Sequence, residues 1–272
     1  MSCLQNLHTH SIFCDGNDTP EQMVLTAIEK GFASLGFSGH SYMKYSPTFQ
    51  KKGDRTAAYR AEVARLREAY ADRIKIYCGL EAEMYSDADF SGFDYLIGAS
   101  HYLMCGEECV PFDRTLQHAT HVIDTYFGGD GMAYAKKYFE TVARMPERWN
   151  FDIVAHFDLI SKHAEARMLF DTEDPAYLRA GLEAIDALDG KIPFFELNTG
   201  AMARGYRTAP YPAPAFLREF GRRGFGAVIT SDCHSAPLLD YAFADAAALL
   251  RAYGFTEKYV LTDSGFMAVP LD

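Results

Sequence analysis

The chain has 272 residues, 49% of them apolar and 23% charged, a balance that excludes disordered and fibrous classes and describes a soluble globular protein. No stretch approaches the roughly 18 consecutive apolar residues of a membrane span, and the opening MSCLQNLHTH lacks the basic and then apolar regions of a signal peptide, so a cytoplasmic protein with no membrane partner is expected. A formal charge of -11 argues against nucleic acid as a partner gripped by a broad basic field, and an anionic substrate would need local cations.

In chain order, His8, His10 and Asp15 come first, in NLHTHSIFCD at the end of a short apolar run. Residues i and i+2 of a strand point to one side, so both imidazoles of an H-x-H can reach one point in space. Thr19, Pro20 and Glu21 then read as an N-cap, a first-turn proline and a first-turn acid, opening a helix to Lys30 that Gly31 stops. The strand SLGFSGH follows and ends on His40. Tyr59, Val63, Leu66 and Tyr70 recur at helical spacing across residues 55–72, which lead into the strand IKIYCGLEAEM with Glu81. The alternation continues through DYLIGASH with His101, a helix over 132–144, the strand DIVAH with His156, and a helix over 175–188. It ends with the strand PFFELN, a helix over 213–223, the strand GAVITSD with Asp232 and His234 beyond it, and a helix over 239–253.

Seven strands separated mostly by helices predict an α/β fold with a parallel sheet, and no Pro, Gly or Ser-rich linker divides residues 1–272 into more than one domain. If such strands close into a TIM-like barrel, every ligand-type side chain lies at a carboxyl end, and all converge on one mouth. Six imidazoles and three carboxylates exceed the four to six ligands of one ion and suit two or three. A mixed nitrogen and oxygen set favours Zn, Mn or Fe over Mg or Ca. Glu81 and Asp232 are the natural bridges, because a carboxylate has two donor oxygens. The polar stretches 43–55 and 104–131 read as excursions at strand ends, where substrate is recognised.

The ordered series HTHS, Asp15, GHS, GLEAE, GASHY, AHFD and SDCH resembles the polymerase and histidinol phosphatase superfamily over nearly the whole chain, and within it the histidinol-phosphatases of many bacteria. The resemblance implies a distorted (β/α)7 barrel with a trinuclear metal site at the carboxyl end of the strands. By motif, His8, His10, Glu81 and Asp232 would hold one divalent transition metal, Asp15, His40 and His234 a second, and Glu81, His101 and His156 a third. Several superfamily members carry histidine at the place of Asp15, which here adds negative charge at the second metal. The activity implied is hydrolysis of the small phosphomonoester L-histidinol phosphate to L-histidinol and phosphate, in histidine biosynthesis, by a metal-activated water.

ELNTGAMARGYRTAPYP resembles the segment that supplies an arginine to the substrate phosphate in these enzymes, and Arg204 matches it as a catalytic and substrate-binding group beside Glu81 and Asp232. Lys162, in HFDLISKH, is a second phosphate-binding candidate, since a guanidinium binds phosphate bidentately and an ammonium as a point charge. Glu83 and Asp158 lie two residues beyond ligands and are expected to orient histidines. His118 and His121 read as exposed polar residues, and Cys105 with Cys109 could hold zinc but lacks a second cysteine pair. The alternatives are a phosphoesterase of the same superfamily acting on nucleotides or nucleic acid, and a non-catalytic metal-binding module. The acidic charge weighs against nuclease action, the Arg204 loop against nucleotides, and the complete ligand set against lost catalysis.

Overall fold

The strands are β1 (Gln5–Asn6), β2 (Ser34–Phe37), β3 (Lys75–Glu83), β4 (Tyr95–Ala99), β5 (Tyr102–Cys105), β6 (Glu108–Pro111), β7 (Ile153–Val154), β8 (Phe194–Asn198), β9 (Gly226–Thr230), β10 (Glu257–Thr262) and β11 (Gly265–Pro270), most of them short runs of apolar and β-branched residues. The helices are α1 (Pro20–Glu29), α2 (Thr56–Ala69), α3 (Leu116–Tyr126), α4 (Gly131–Arg148), α5 (Pro175–Leu188), α6 (Gly200–Ala203), α7 (Pro214–Arg223) and α8 (Phe243–Ala252). The structure, a computed structural model, describes residues 4–46 and 53–271, so part of the expected excursion after β2 lies outside the described residues.

Seven parallel strands run in the order β1-β2-β3-β4-β7-β8-β9. The ends meet where the extensions of β1 and β9 pair: His10 N donates to Cys233 O at 2.8 Å and Cys233 N to His8 O at 3.0 Å. The result is a nearly closed, distorted (β/α)7 barrel. Tyr95 fills its interior among Leu7, Tyr77, Ile97, Ile153 and Val228, and its hydroxyl donates to the carbonyls of Leu7 and Phe37. Gly36 and Gly79 make room for that ring, since a Cβ on either would stand 2.3 Å from Tyr95 atoms. On the outer side of the sheet, Phe157 and Phe195 pack on Phe216 and Phe220 of α7, and Phe216 meets Phe139 of α4, in the largest apolar cluster among the described residues.

Helix α1 begins as expected. Thr19 accepts from Gln22 N at 3.2 Å while Thr19 N donates to the Gln22 side chain at 2.8 Å, and Gly31 takes φ 75° beyond the last turn. Three elements depart from the sequence reading. Helix α4 runs on to Arg148 past Pro146 instead of stopping at 144, because a proline so near the end removes only one ladder bond while Met145 is buried. The last helix starts at Phe243 and not at 239: a 3-10 turn covers Ala236–Leu238, and Ala242 takes φ 55°. The 104–131 stretch is not irregular, since it holds most of the hairpin β5–β6 and helix α3.

A second unanticipated hairpin, β10–β11, covers the amino end of the barrel. Gln5 Nε2 donates to Leu261 O at 2.9 Å and Leu261 N to Gln5 Oε1 at 2.8 Å, and Phe194 packs on Tyr259 and Phe266. With that end sealed, access to the interior is from the carboxyl end. Among the described residues no helix is long and apolar enough to cross a membrane.

Candidate metal centre

Each of the nine predicted ligands stands at or just beyond the carboxyl end of a parallel strand. His8, His10 and Asp15 follow β1, His40 follows β2, Glu81 lies in β3, His101 follows β4, His156 follows β7, and Asp232 and His234 follow β9. The His8 and His10 rings come within 5.1 Å of each other, although β1 ends before them and the pairing with Cys233 holds them extended. Asp232 takes φ 45°, a left-handed conformation that costs a non-glycine residue about 1 kcal/mol or more and is concentrated at functional sites.

Glu81 is the hub. Its Oε1 lies 3.5 Å from His8 Nε2, 3.4 Å from His101 Nε2 and 3.1 Å from His156 Nε2. Its Oε2 lies 2.7 Å from His40 Nδ1 and 3.6 Å from His10 Nε2. Asp232 Oδ1 faces His10 Nε2 at 3.1 Å and His8 Nε2 at 3.6 Å, and Asp15 Oδ2 lies 3.4 Å from both His40 and His234. The donors fall into overlapping groups: His10, Asp15, His40 and His234; His8, Glu81 and His156; His8, His10 and Asp232; His40, Glu81 and His101. All nine residues belong to at least one group.

Several of these donor atoms are buried and lack a hydrogen-bond partner: His8 Nε2, His10 Nε2 and Glu81 Oε2. A buried polar atom without a partner costs about 1 to 3 kcal/mol, and a metal ion satisfies such atoms. The electrostatics demand positive charge. Burial alone would lower the His8 pKa, yet the carboxylates of Glu196, Glu81 and Asp232 outweigh it and raise it to about 10. Burial would likewise raise Glu81, but His40, His101 and His8 hold it well below the usual carboxylate range. Asp15 and Asp232 behave the same way, held down chiefly by His40 and Arg204 respectively. Donor types, burial and charge all fit a set of divalent cations.

A model of the PHP domain matches residues 6–200, a span that includes every candidate ligand up to His156. The chain belongs to the PHP family. A Deinococcus radiodurans protein named as a probable histidinol-phosphatase is 26% identical over 265 residues, covering 93% of this chain and 95% of its own. The histidinol-phosphatase of Bacillus subtilis is 25% identical over 263 residues, covering 87% and 95%. The histidinol phosphate phosphatase of Lactococcus lactis, solved with zinc, L-histidinol and phosphate, superposes with a TM-score of 0.67. It is 22% identical and covers 97% of this chain and 99% of its own, a likeness of fold.

In this PHP chain a second layer of carboxylates holds the imidazoles. Glu83 accepts from His101 N at 2.8 Å and lies 3.0 Å from His101 Nδ1, as the sequence suggested. Asp158 does not orient a histidine. It accepts from Ala213 N and Ser161 instead, because the chain turns into a 3-10 segment (Leu159–Ser161) and carries it away from the mouth. The residue that sequence reasoning missed is Glu196, fully buried in β8. Its Oε1 lies 2.5 Å from His8 Nδ1, and its Oε2 accepts from His156 N at 2.9 Å and Asn198 Nδ2 at 3.0 Å. An acid in the strand PFFELN on the inward face was the available signal. Holding Nδ1 fixes the tautomer that leaves Nε2 free. Glu196→Gln is therefore expected to weaken metal affinity about 10- to 100-fold with the fold intact, read by competition against a chelator.

A pocket of about 380 Å³ opens over the centre and is lined by Asp15, His40, His101, His156, Asp232 and His234 with Met43, Tyr102, Asp113, Arg114, Lys162, Arg204 and Tyr206. That volume suits a small molecule. Arg204 donates to Asp232 Oδ2 at 2.8 Å and Asp232 O at 2.9 Å, and lies 2.9 Å from His234 Nδ1. Lys162 donates to Asp113 O at 2.7 Å and Asp113 Oδ2 at 3.1 Å, with its ammonium 4.8 Å from the centre of the Tyr206 ring. Burial would raise the Asp113 carboxyl, but Lys162 and His101 hold it down at about 2. His118 is outside the centre, 2.8 Å from Pro111 O, and His121 pairs with Thr125. Cys105 and Cys109 are free thiols and join no candidate metal group among the described residues.

Proposed function

We propose that residues 1–272 form a single catalytic unit, a cytoplasmic metal-dependent phosphomonoesterase that hydrolyses L-histidinol phosphate to L-histidinol and phosphate. The observation that carries this is the convergence of eight donors around Glu81, with His8 Nε2, His10 Nε2 and Glu81 Oε2 buried and making no hydrogen bond. Three divalent ions, Zn, Mn or Fe, are assigned: His8, His10, Glu81 and Asp232 to one, Asp15, His40 and His234 to another, and Glu81, His101 and His156 to the third, a division that differs from the geometric groups, in which Glu81 joins His8 with His156 and His40 with His101. When bound, such ions polarise a phosphoryl group and make water a nucleophile near neutral pH.

The protein's own groups do the rest. Arg204, at the edge of the pocket beside Asp232, offers a guanidinium to the phosphoryl oxygens as their charge grows. Lys162 adds a second cation, its ammonium held by Asp113. Tyr102, Met43 and Tyr206 present ring and thioether surface to the organic part of the substrate. The relatives named as histidinol-phosphatases, matched along nearly their whole length, support the choice of substrate.

The test compares kcat/KM for L-histidinol phosphate, p-nitrophenyl phosphate, a sugar phosphate and a nucleoside monophosphate under the same metals and pH. Contacts to the amine and imidazole worth about 3 to 4 kcal/mol together give histidinol phosphate a lead of roughly 10² to 10³. A nucleotide that equals it replaces the substrate and keeps the phosphoesterase. No turnover of any ester by metal-replete protein refutes the enzyme.

A further inference from the structure

Two loops carry the cations proposed to meet the phosphoryl group: the one after β7 bears Lys162, paired with Asp113, and the one after β8 bears Arg204, paired with Asp232. They are joined by a buried polar clamp that the chemistry described so far does not use. Arg207, 10% exposed at its side chain, donates to Ser161 Oγ, and its Nη1 lies 3.7 Å from Asp158 Oδ2, a carboxylate with no exposure. Its guanidinium stacks 4.5 Å over the Tyr211 ring, which in turn packs edge-on to His156. Asp158 also accepts from Ala213 N at 3.2 Å, and Glu165 accepts from Thr208 N at 2.9 Å, so the second loop is tied to the first along its length. Tyr206 reaches across to lie under Lys162 and against His163.

We propose that Arg207 is a positioning residue that, through Asp158 and Ser161, sets the stance of Lys162 against Arg204 for a bound phosphoryl group. The physical case is economy of burial. A guanidinium and a carboxylate taken out of water together cost several kcal/mol unless each is well paired, and Arg207 Nε here has no partner at all. Apolar residues would join two loops at lower cost. What an ion pair adds is a link between two loops that would otherwise set their cations independently, and a displacement of about 1 Å is enough to take a phosphate-binding group out of hydrogen-bond range. The inference rests on the phosphoesterase reading above for its ligand.

The experiment measures binding of inorganic phosphate to metal-loaded protein by calorimetry, beside KM, kcat and metal content, for wild type, Arg207→Met, Arg207→Lys and Asp158→Asn. Arg207→Met and Asp158→Asn are expected to weaken phosphate binding and raise KM about tenfold, with kcat within about threefold and metal content unchanged. Arg207→Lys, which keeps the charge on Asp158, should recover most of the phosphate affinity, and it remains informative should Arg207→Met fail to fold. A merely structural clamp would lower kcat with the active fraction and leave KM and phosphate affinity alone, and that result overturns the proposal, as does phosphate affinity lost in step with metal. Wild-type protein that binds phosphate without turning over esters refutes the enzyme and leaves the clamp standing, whereas wild-type protein that binds no phosphate overturns both.

Discussion

Glu81→Gln is expected to lower kcat/KM for a phosphomonoester by about 10⁴-fold or more, equivalent to about 5.5 kcal/mol, and to strip metal from the protein. The size follows from position. Glu81 Oε1 faces His8, His101 and His156, while Oε2 faces His10 and His40, so one side chain serves both halves of the donor set. An amide retains one carbonyl donor, replaces the other with an NH2 that repels a cation, and removes a negative charge at a fully buried point. The loss should be of about two ions per chain by elemental analysis, with the circular dichroism spectrum unchanged. Full metal content, or activity within tenfold of wild type, would show that Glu81 is a neighbour of the ions and no bridge.

Arg204→Met is expected to lower kcat/KM by about 10²-fold or more while leaving the metals in place. A charge-assisted contact that tightens in the transition state accounts for about 3 kcal/mol. The geometry raises a competing account, because Arg204 also holds both the carboxylate and the carbonyl of Asp232. The two separate cleanly. If Arg204 acts on substrate, the affinity for inorganic phosphate falls with kcat/KM and metal content holds. If it chiefly orients Asp232, metal is lost and the phosphate affinity of the residual loaded fraction stays normal. An effect of less than about threefold on kcat/KM would remove Arg204 from the site altogether, and Lys162 would become the cation to test.

The strand ends and their donors were legible in the sequence because both depend on local pattern. A short run with apolar or β-branched residues closes on a histidine or an acid, and in a parallel sheet all such ends lie on one side, so the convergence of His8, Glu81, His156 and Asp232 needed no knowledge of the pairing. The cap of α1 was equally local, since Thr19 and Pro20 act within a turn. Other features were set by contacts between residues far apart in the chain. Glu196 supports His8, 188 residues away, only because barrel closure through β9 brings β8 near β1, and nothing in the periodicity of PFFELN says which strands come near it. The same limit applies to Asp158, whose expected histidine is replaced by Arg207 because the backbone turns at Leu159, and to the hairpin β10–β11, whose docking depends on Gln5. Sequence pattern determines which side of an element is buried and where it ends, through propensity and side-chain period. Which buried polar groups meet is decided by how the sheet closes and where the loops cross, and that is a property of the whole chain.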